Sequence, residues 1–221
     1  MPTTVNIAYF PGTNCQAETA VAFEMVGAQA RHVFLADVID GKARLDDADI
    51  LCLPGGFSYG DHIASGVVAA KFLTTRLADQ LAACRTRPMI CICNGFQIAV
   101  RAGIFGSDVA LSVNDIGTFN HVAQQPHCIV PDHQNVWLTG LEGQTLHFPC
   151  AHGEGRFVSN SNQGWHTAIT YPEGENPDGS ADNIAGISTP DGLTLGLMDH
   201  PERTRSEANL EIFRNGVKAA S

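Results

Sequence analysis

Short runs of apolar, branched residues recur along the chain between longer amphipathic stretches, the rhythm of strands alternating with crossover helices. Val5 to Phe10 is predicted as the first strand, and Asn14 as the cap of a helix that carries Ala17, Val21, Phe23 and Met25 and stops at Gly27. Further strands are predicted at Ala30 to Leu35, Ile50 to Leu53 and Met89 to Ile92. A helical stretch from about Ile63 to Cys84 is set by Val67, Val68, Phe72, Leu77 and Leu81. These strands are apolar almost throughout instead of alternating, as in a parallel sheet covered on both faces by helices. The expected fold class is therefore α/β, a doubly wound, mostly parallel sheet flanked by helices.

Beyond about Gly106 the helical periodicity fades. His127 to Val130, Leu146 to Cys150, His166 to Thr170, Ile184 to Ser188 and Leu193 to Met198 read as strands, and Glu173 to Ser180 as a turn-rich surface loop. Antiparallel hairpins are expected to extend the sheet here, before a last helix near Glu207 to Val217. No internal repeat or linker interrupts the 221 residues, so one domain over 1–221 is expected.

Composition narrows the function classes. Apolar residues make up 44% and charged residues 16%, a profile that supports a packed core. No apolar run is long enough to span a membrane, and the start MPTTVNIAYFPG lacks the basic and apolar regions of a signal peptide, so a cytoplasmic protein is expected. A net charge of −10 argues against nucleic-acid or anionic-membrane partners, which need a positive surface. The seven cysteines, an odd number in a chain of this size, argue against a disulfide framework.

The chemistry concentrates in RPMICICNGFQIAVRAG, residues 87 to 103, where an apolar strand runs into Cys93, then Asn94, Gly95 and a helix. A reactive residue at a sharp strand-to-helix turn is a nucleophile elbow, and the helix N-terminus favours the attacking thiolate. The competing reading is that Cys93 is one more buried cysteine. LCLPGGFSYGDH, residues 51 to 62, ends a second strand in two glycines and should share the crevice at the strands' carboxyl ends. There the amides of Gly56 and Asn94 would form an oxyanion hole; otherwise the loop is only a tight turn. His200, after the last apolar strand and two residues before Glu202, is the candidate base, with Glu202 fixing its tautomer. An isolated HPE is also a common surface sequence. His121, His127 and His133 recur every six residues, but no register makes all three converge on a metal, and no metal site is expected. Cys91 and Cys93 do not form CxxC. The absence of GxxxxGK[ST] and GxGxxG removes the common nucleotide loops, so no cofactor is expected in this chain.

With these residues in place, the chain resembles the class I glutamine amidotransferases, and within them the branch that serves purine biosynthesis. The resemblance rests on PGTNC (11 to 15), PGGFSYGD (54 to 61), ICNGFQ (92 to 97), AHGEGRF (151 to 157), NPDGS (176 to 180), IAGI (184 to 187) and HPER (200 to 203), in family order along nearly the whole chain. It implies a flavodoxin-like glutaminase fold in which Cys93 attacks the amide carbon of L-glutamine, His200 shuttles the proton and Glu202 orients His200. It further implies oxyanion amides from Gly56 and Asn94, and a glutamine pocket involving Gly55, Phe57, Gln97, His152 and Gly153. In that branch ammonia passes to a large synthetase subunit, sometimes with a small third protein. The synthetase holds ATP and magnesium and converts formylglycinamide ribonucleotide to its amidine. Two departures stand out: Cys91 replaces a Gly common in relatives, and HIASG follows PGGFSYGD where relatives carry an aromatic and a basic residue. A diverged amidotransferase with another acceptor, an elbow-type cysteine peptidase or hydrolase, and a non-catalytic binding subunit are the alternatives.

Overall fold

The computed structural model describes residues 1–117, 119–130, 134–161 and 163–221; His133 lies outside them. Strands β1 (Thr4–Tyr9), β2 (Gln29–Phe34), β3 (Ile50–Leu53), β4 (Met89–Ile92) and β11 (Thr194–Leu197) are parallel in the order β2-β1-β3-β4-β11. β3, β4 and β11 are buried along their whole length, because helices cover both faces. β2, at the sheet edge, buries only one residue, Val33. Antiparallel strands β10 (Ile184–Ser188), β9 (His166–Thr170), β6 (Asn120–Ile129) and β7 (Thr145–His152) follow β11 and complete a nine-stranded sheet. The α/β class, the parallel first half and the antiparallel extension are those expected from the sequence.

Several boundaries differ, each for a tertiary reason. Helix α1 (Gln16–Met25) starts at Cys15, and Asn14 gives it no side-chain cap. The start is set instead by the PGG loop, since the Cys15 amide donates to Gly55 O at 3.2 Å and Thr13 bridges Gly56. The short helix α2 (Leu35–Ile39) takes Leu35 out of the predicted second strand. The predicted 63–84 helix is two helices, α3 (Val67–Arg76) and α4 (Ala78–Cys84), broken at Leu77, whose φ of −128° leaves the helical region while its side chain stays buried.

β6 begins seven residues before the predicted strand, and a register shift between Val122 and Gln125 puts His121 in solvent while His127 is fully buried. The spacing of six therefore does not place these two rings together. A small ladder of β5 (Val109–Ser112) and β8 (Arg156–Ser159) was not legible in the sequence. α5 (Asn94–Arg101) leaves β4, and α6 (Glu207–Ala219), capped by the Ser206 side chain on Asn209 N, closes the chain against α1. All seven cysteines are free.

Candidate active site

Three neighbouring strands, β3, β4 and β11, deliver the candidate groups at one end of the sheet. Leu53 pairs with Cys91 and Ile92 with Leu197, so the PGG loop, Cys93 and the segment reaching His200 leave the sheet side by side. Cys93 adopts φ 51° and ψ −112°, a conformation that costs a side-chain-bearing residue about 1 to 3 kcal/mol. It persists because its N–H donates to Leu197 O at 2.8 Å while its carbonyl accepts from Phe96 N and Gln97 N at 2.9 and 3.0 Å. Gly95 is what lets the helix sit there: a Cβ at this position would lie 1.8 Å from Leu53 O.

His200, 1% exposed, holds Glu202 Oε1 at 2.7 Å from its Nδ1, and its N–H donates to Pro149 O of β7 at 2.9 Å. Pro201 opens the 3-10 turn that carries Glu202 back to the ring. Burial lowers the His200 pKa, but the Glu202 carboxylate and the Cys93 sulfur outweigh it and lift the value to about 10. The ring therefore carries its proton at neutral pH, beside the sulfur. Burial pushes the thiols of Cys15, Cys52, Cys84, Cys91 and Cys150 upward, so these five are poor nucleophiles.

Gly55 lies under this pair and not in the wall of the cavity. A Cβ on it would lie 2.8 Å from His200 Cε1, 3.1 Å from Cys15 Sγ and 3.3 Å from Cys93 Cβ. This position sets the spacing between the His200 ring and Cys93. Gly56 has φ 147° and packs on the backbone of Thr13 and Asn14, which excludes any side chain. Asn94 is the first residue of α5, so its amide N–H has no partner within the helix.

Cys93 opens into a cavity of 220 Å³ walled by Gly56, Phe57 and Gln97 on one side and by Ala151, His152, Gly153 and Glu154 on the other. That volume suits one small amino acid rather than a drug-sized ligand. A chain of amides braces it: Ser58 N donates to Asn94 Oδ1, Asn94 Nδ2 to Gln97 Oε1, and Gln97 Nε2 to Glu154 O, at 3.0, 2.9 and 2.8 Å. Gln97 thus ties the helix to the opposite wall as well as facing the cavity. Asp61, Ser65 and Phe119 also line it. Asp61 and its neighbours belong to a motif quoted above, but Ser65 and Phe119 carried no sequence signal.

Among the described residues, two clusters bring metal-type ligand atoms within 4.8 Å of one another: Cys15, Glu18, His200 and Glu202, and Cys150, His152 and Asp199. The first already contains a cation, since Arg203 donates to both Cys15 Sγ and Glu18.

A buried Cys–His–Glu constellation at a nucleophile elbow, open to a small cavity, defines a thiol-dependent amide hydrolase of the doubly wound class. Residues 2–220 match the model of the CobB/CobQ-like glutamine amidotransferase domain. The chain belongs to that family. It is 35% identical to phosphoribosylformylglycinamidine synthase subunit PurQ of Pyrococcus furiosus over 96% of both chains. It is 32% identical to the PurQ subunit of Dehalococcoides mccartyi over 95% of this chain and 94% of that one. A chain in the structure of PurLQS from Thermotoga maritima superposes with a TM-score of 0.84 at 30% identity, covering 99% of this chain and 98% of that chain.

Proposed function

We propose that this protein is the glutaminase subunit of phosphoribosylformylglycinamidine synthase, hydrolysing L-glutamine to glutamate and ammonia in purine biosynthesis. The observation that carries this is Cys93, strained at the elbow and facing a 220 Å³ cavity, with the His200–Glu202 pair beside it.

The thiolate of Cys93 attacks the amide carbon of glutamine, and the oxyanion that forms is held by the amides of Gly56 and Asn94. His200 gives its proton to the amide nitrogen, the C–N bond breaks and ammonia leaves. Water, deprotonated by His200, then attacks the thioester, releasing glutamate and restoring the thiolate. Glu202 keeps the imidazole oriented through both steps. Gln97, Phe57, His152 and Gly153 form the walls that hold the substrate.

Ammonia needs a neighbouring acceptor. The rings of Phe57 and Phe119 stand 6.3 Å apart at the cavity, about half exposed, and Ile63, Val113 and Ile116 are exposed as well. Exposed apolar side chains beside an active-site mouth suit a protein interface. A large synthetase subunit, sometimes with a small third protein, covers this surface in our reading, and ATP and magnesium belong to that subunit. HIASG, with Ile63 76% exposed, lies where that contact would form. The assembly is cytoplasmic in this reading; no helix among the described residues is long and apolar enough to cross a membrane.

The test is Cys93→Ala, with glutamate release measured in the presence of the synthetase. Activity should fall on the order of a thousandfold or more while circular dichroism is unchanged. Unchanged hydrolysis would remove the reading. Glutamine hydrolysis by the wild-type chain should rise when the synthetase and its nucleotide substrate are added.

A further inference from the structure

Directly before His200, the carboxylate of Asp199 is 1% exposed and gathers groups from three other parts of the chain. Its Oδ2 accepts from Nε2 of His127 on β6 at 2.7 Å and from the Tyr171 hydroxyl at 3.0 Å. Its Oδ1 lies 3.3 Å from Nε2 of His152, at the end of β7. The other ring nitrogen of His127 is 2.7 Å from the carbonyl oxygen of Gln125. Both nitrogens of His127 therefore face oxygen atoms, which fixes the ring between the Gln125 carbonyl and the Asp199 carboxylate. Burial alone would raise the Asp199 pKa, but the two histidines reverse that and hold it well below the usual carboxylate range.

The remaining polar neighbours are Asp178, whose Oδ2 lies 3.9 Å from His152 Nε2, and Cys150, whose sulfur is 3.3 Å from the same nitrogen. Asn114 settles the His152 tautomer. Its amide is fixed by donating to His152 O at 2.9 Å and accepting from Gly155 N at 2.8 Å, which leaves Nδ2 as a donor 3.4 Å from His152 Nδ1. Nδ1 is thus the acceptor, and the proton on Nε2 points towards Asp199 and Cys150, so this nitrogen serves as a donor and not as a metal ligand.

This network sits between two parts of the candidate active site. His152 belongs to the wall whose Ala151 oxygen is 3.8 Å from Cys93 Sγ and whose Glu154 oxygen accepts from Gln97. The same strand receives the His200 N–H at Pro149. β7 therefore meets the His200 segment twice, at Pro149 through a backbone hydrogen bond and at His152, whose Nε2 lies 3.3 Å from Asp199 Oδ1, an oxygen with no hydrogen-bond partner of its own. The mechanism uses neither Asp199 nor His127, and neither lines the cavity.

We propose that Asp199, held by His127 and Tyr171 and facing His152, is a positioning residue for glutamine hydrolysis: it locks the 151–154 wall of the glutamine cavity onto the segment that carries His200. The proposal rests on the glutaminase reading, in which that wall holds the substrate. Misplacing a substrate by a fraction of an ångström costs rate and apparent affinity without removing the nucleophile.

The experiment compares wild type, Tyr171→Phe and Asp199→Asn, the last of which replaces the shared carboxylate by an amide. Cys93 alkylation is measured with a glutamine-shaped diazo ketone, which needs the cavity, and with iodoacetamide, which needs only the thiolate, alongside kcat and KM for glutamine. Tyr171→Phe should slow diazo-ketone labelling about threefold and raise KM by a similar factor, and Asp199→Asn should do so about tenfold or more. Iodoacetamide labelling should stay within about twofold of wild type in both. Equal losses with both reagents, or wild-type KM and labelling ratios in both variants, would overturn the proposal. Should Asp199→Asn not fold, Tyr171→Phe decides alone, since it removes one hydroxyl and keeps the ring. Wild-type protein labelled by iodoacetamide and not by the diazo ketone would overturn the glutaminase reading itself.

Discussion

Nδ1 of His200 and Oε1 of Glu202 lie 2.7 Å apart, two residues from each other in the chain, and both side chains are almost completely buried. A carboxylate in that position can have no purpose as a surface salt bridge. It fixes one ring nitrogen and leaves the other to face the sulfur.

Glu202→Gln keeps the shape of this pair and removes its charge. Because the carboxylate is a main contributor to the raised His200 pKa, that value should drop from about 10, and the alkaline limit of glutamine turnover, which needs the protonated ring to release ammonia, should move to lower pH. Glutamine turnover should fall on the order of a hundredfold or more. A pH profile of turnover whose alkaline limb superposes on that of the wild type would contradict this.

The same shift links pH to stability. The folded-state value of about 10 exceeds the ordinary histidine value of 6.5, so the charged ring stabilises the fold fully below about pH 6.5. That contribution is lost as pH rises through about 10. Thermal melts should therefore show wild type and His200→Asn converging between about pH 6.5 and 10. A gap that widens over that range would mean that the sign is wrong.

Gly55→Ala tests the spacing role. The residue has no positive φ, so the backbone tolerates alanine, but the new methyl meets the His200 ring and the Cys93 side chain. Turnover should fall about tenfold or more while the melting temperature changes little. Crystals of the variant with an unmoved His200 ring would count against the argument.

Gly95→Ala should instead fail as a fold. Its Cβ would lie 1.8 Å from a backbone oxygen of β3, which cannot rotate away, so α5 must shift off the sheet. A loss of about 3 kcal/mol or more in urea denaturation is expected. Gly143→Ala, with positive φ and nothing within 4 Å, serves as the control and should lose only about 1 to 2 kcal/mol.

The parallel core was legible because the almost wholly apolar runs at β1, β3, β4 and β11 fit a sheet covered on both faces. The elbow was legible because Cys93, Asn94 and Gly95 sit between such a run and a helix. His200 and Glu202 could be selected only by their place after the last strand, with Pro201 between them. Ser65 and Phe119 had no signal, since each joins the cavity through the folding of a loop whose own pattern is irregular.

Local order along the chain thus determined the fold class, the strands that carry chemistry and the types of residue at their ends. Tertiary structure decided which of them meet. β11, formed a hundred residues after β4, inserts beside it in register, Leu197 opposite Ile92, and that pairing alone puts His200 next to Cys93. It also decided that His127, His152 and Tyr171, far apart along the chain and alike in sequence to any surface polar residue, gather at the buried carboxylate of Asp199. Burial creates such networks, because a polar group removed from water must find its partner wherever the packing has placed one.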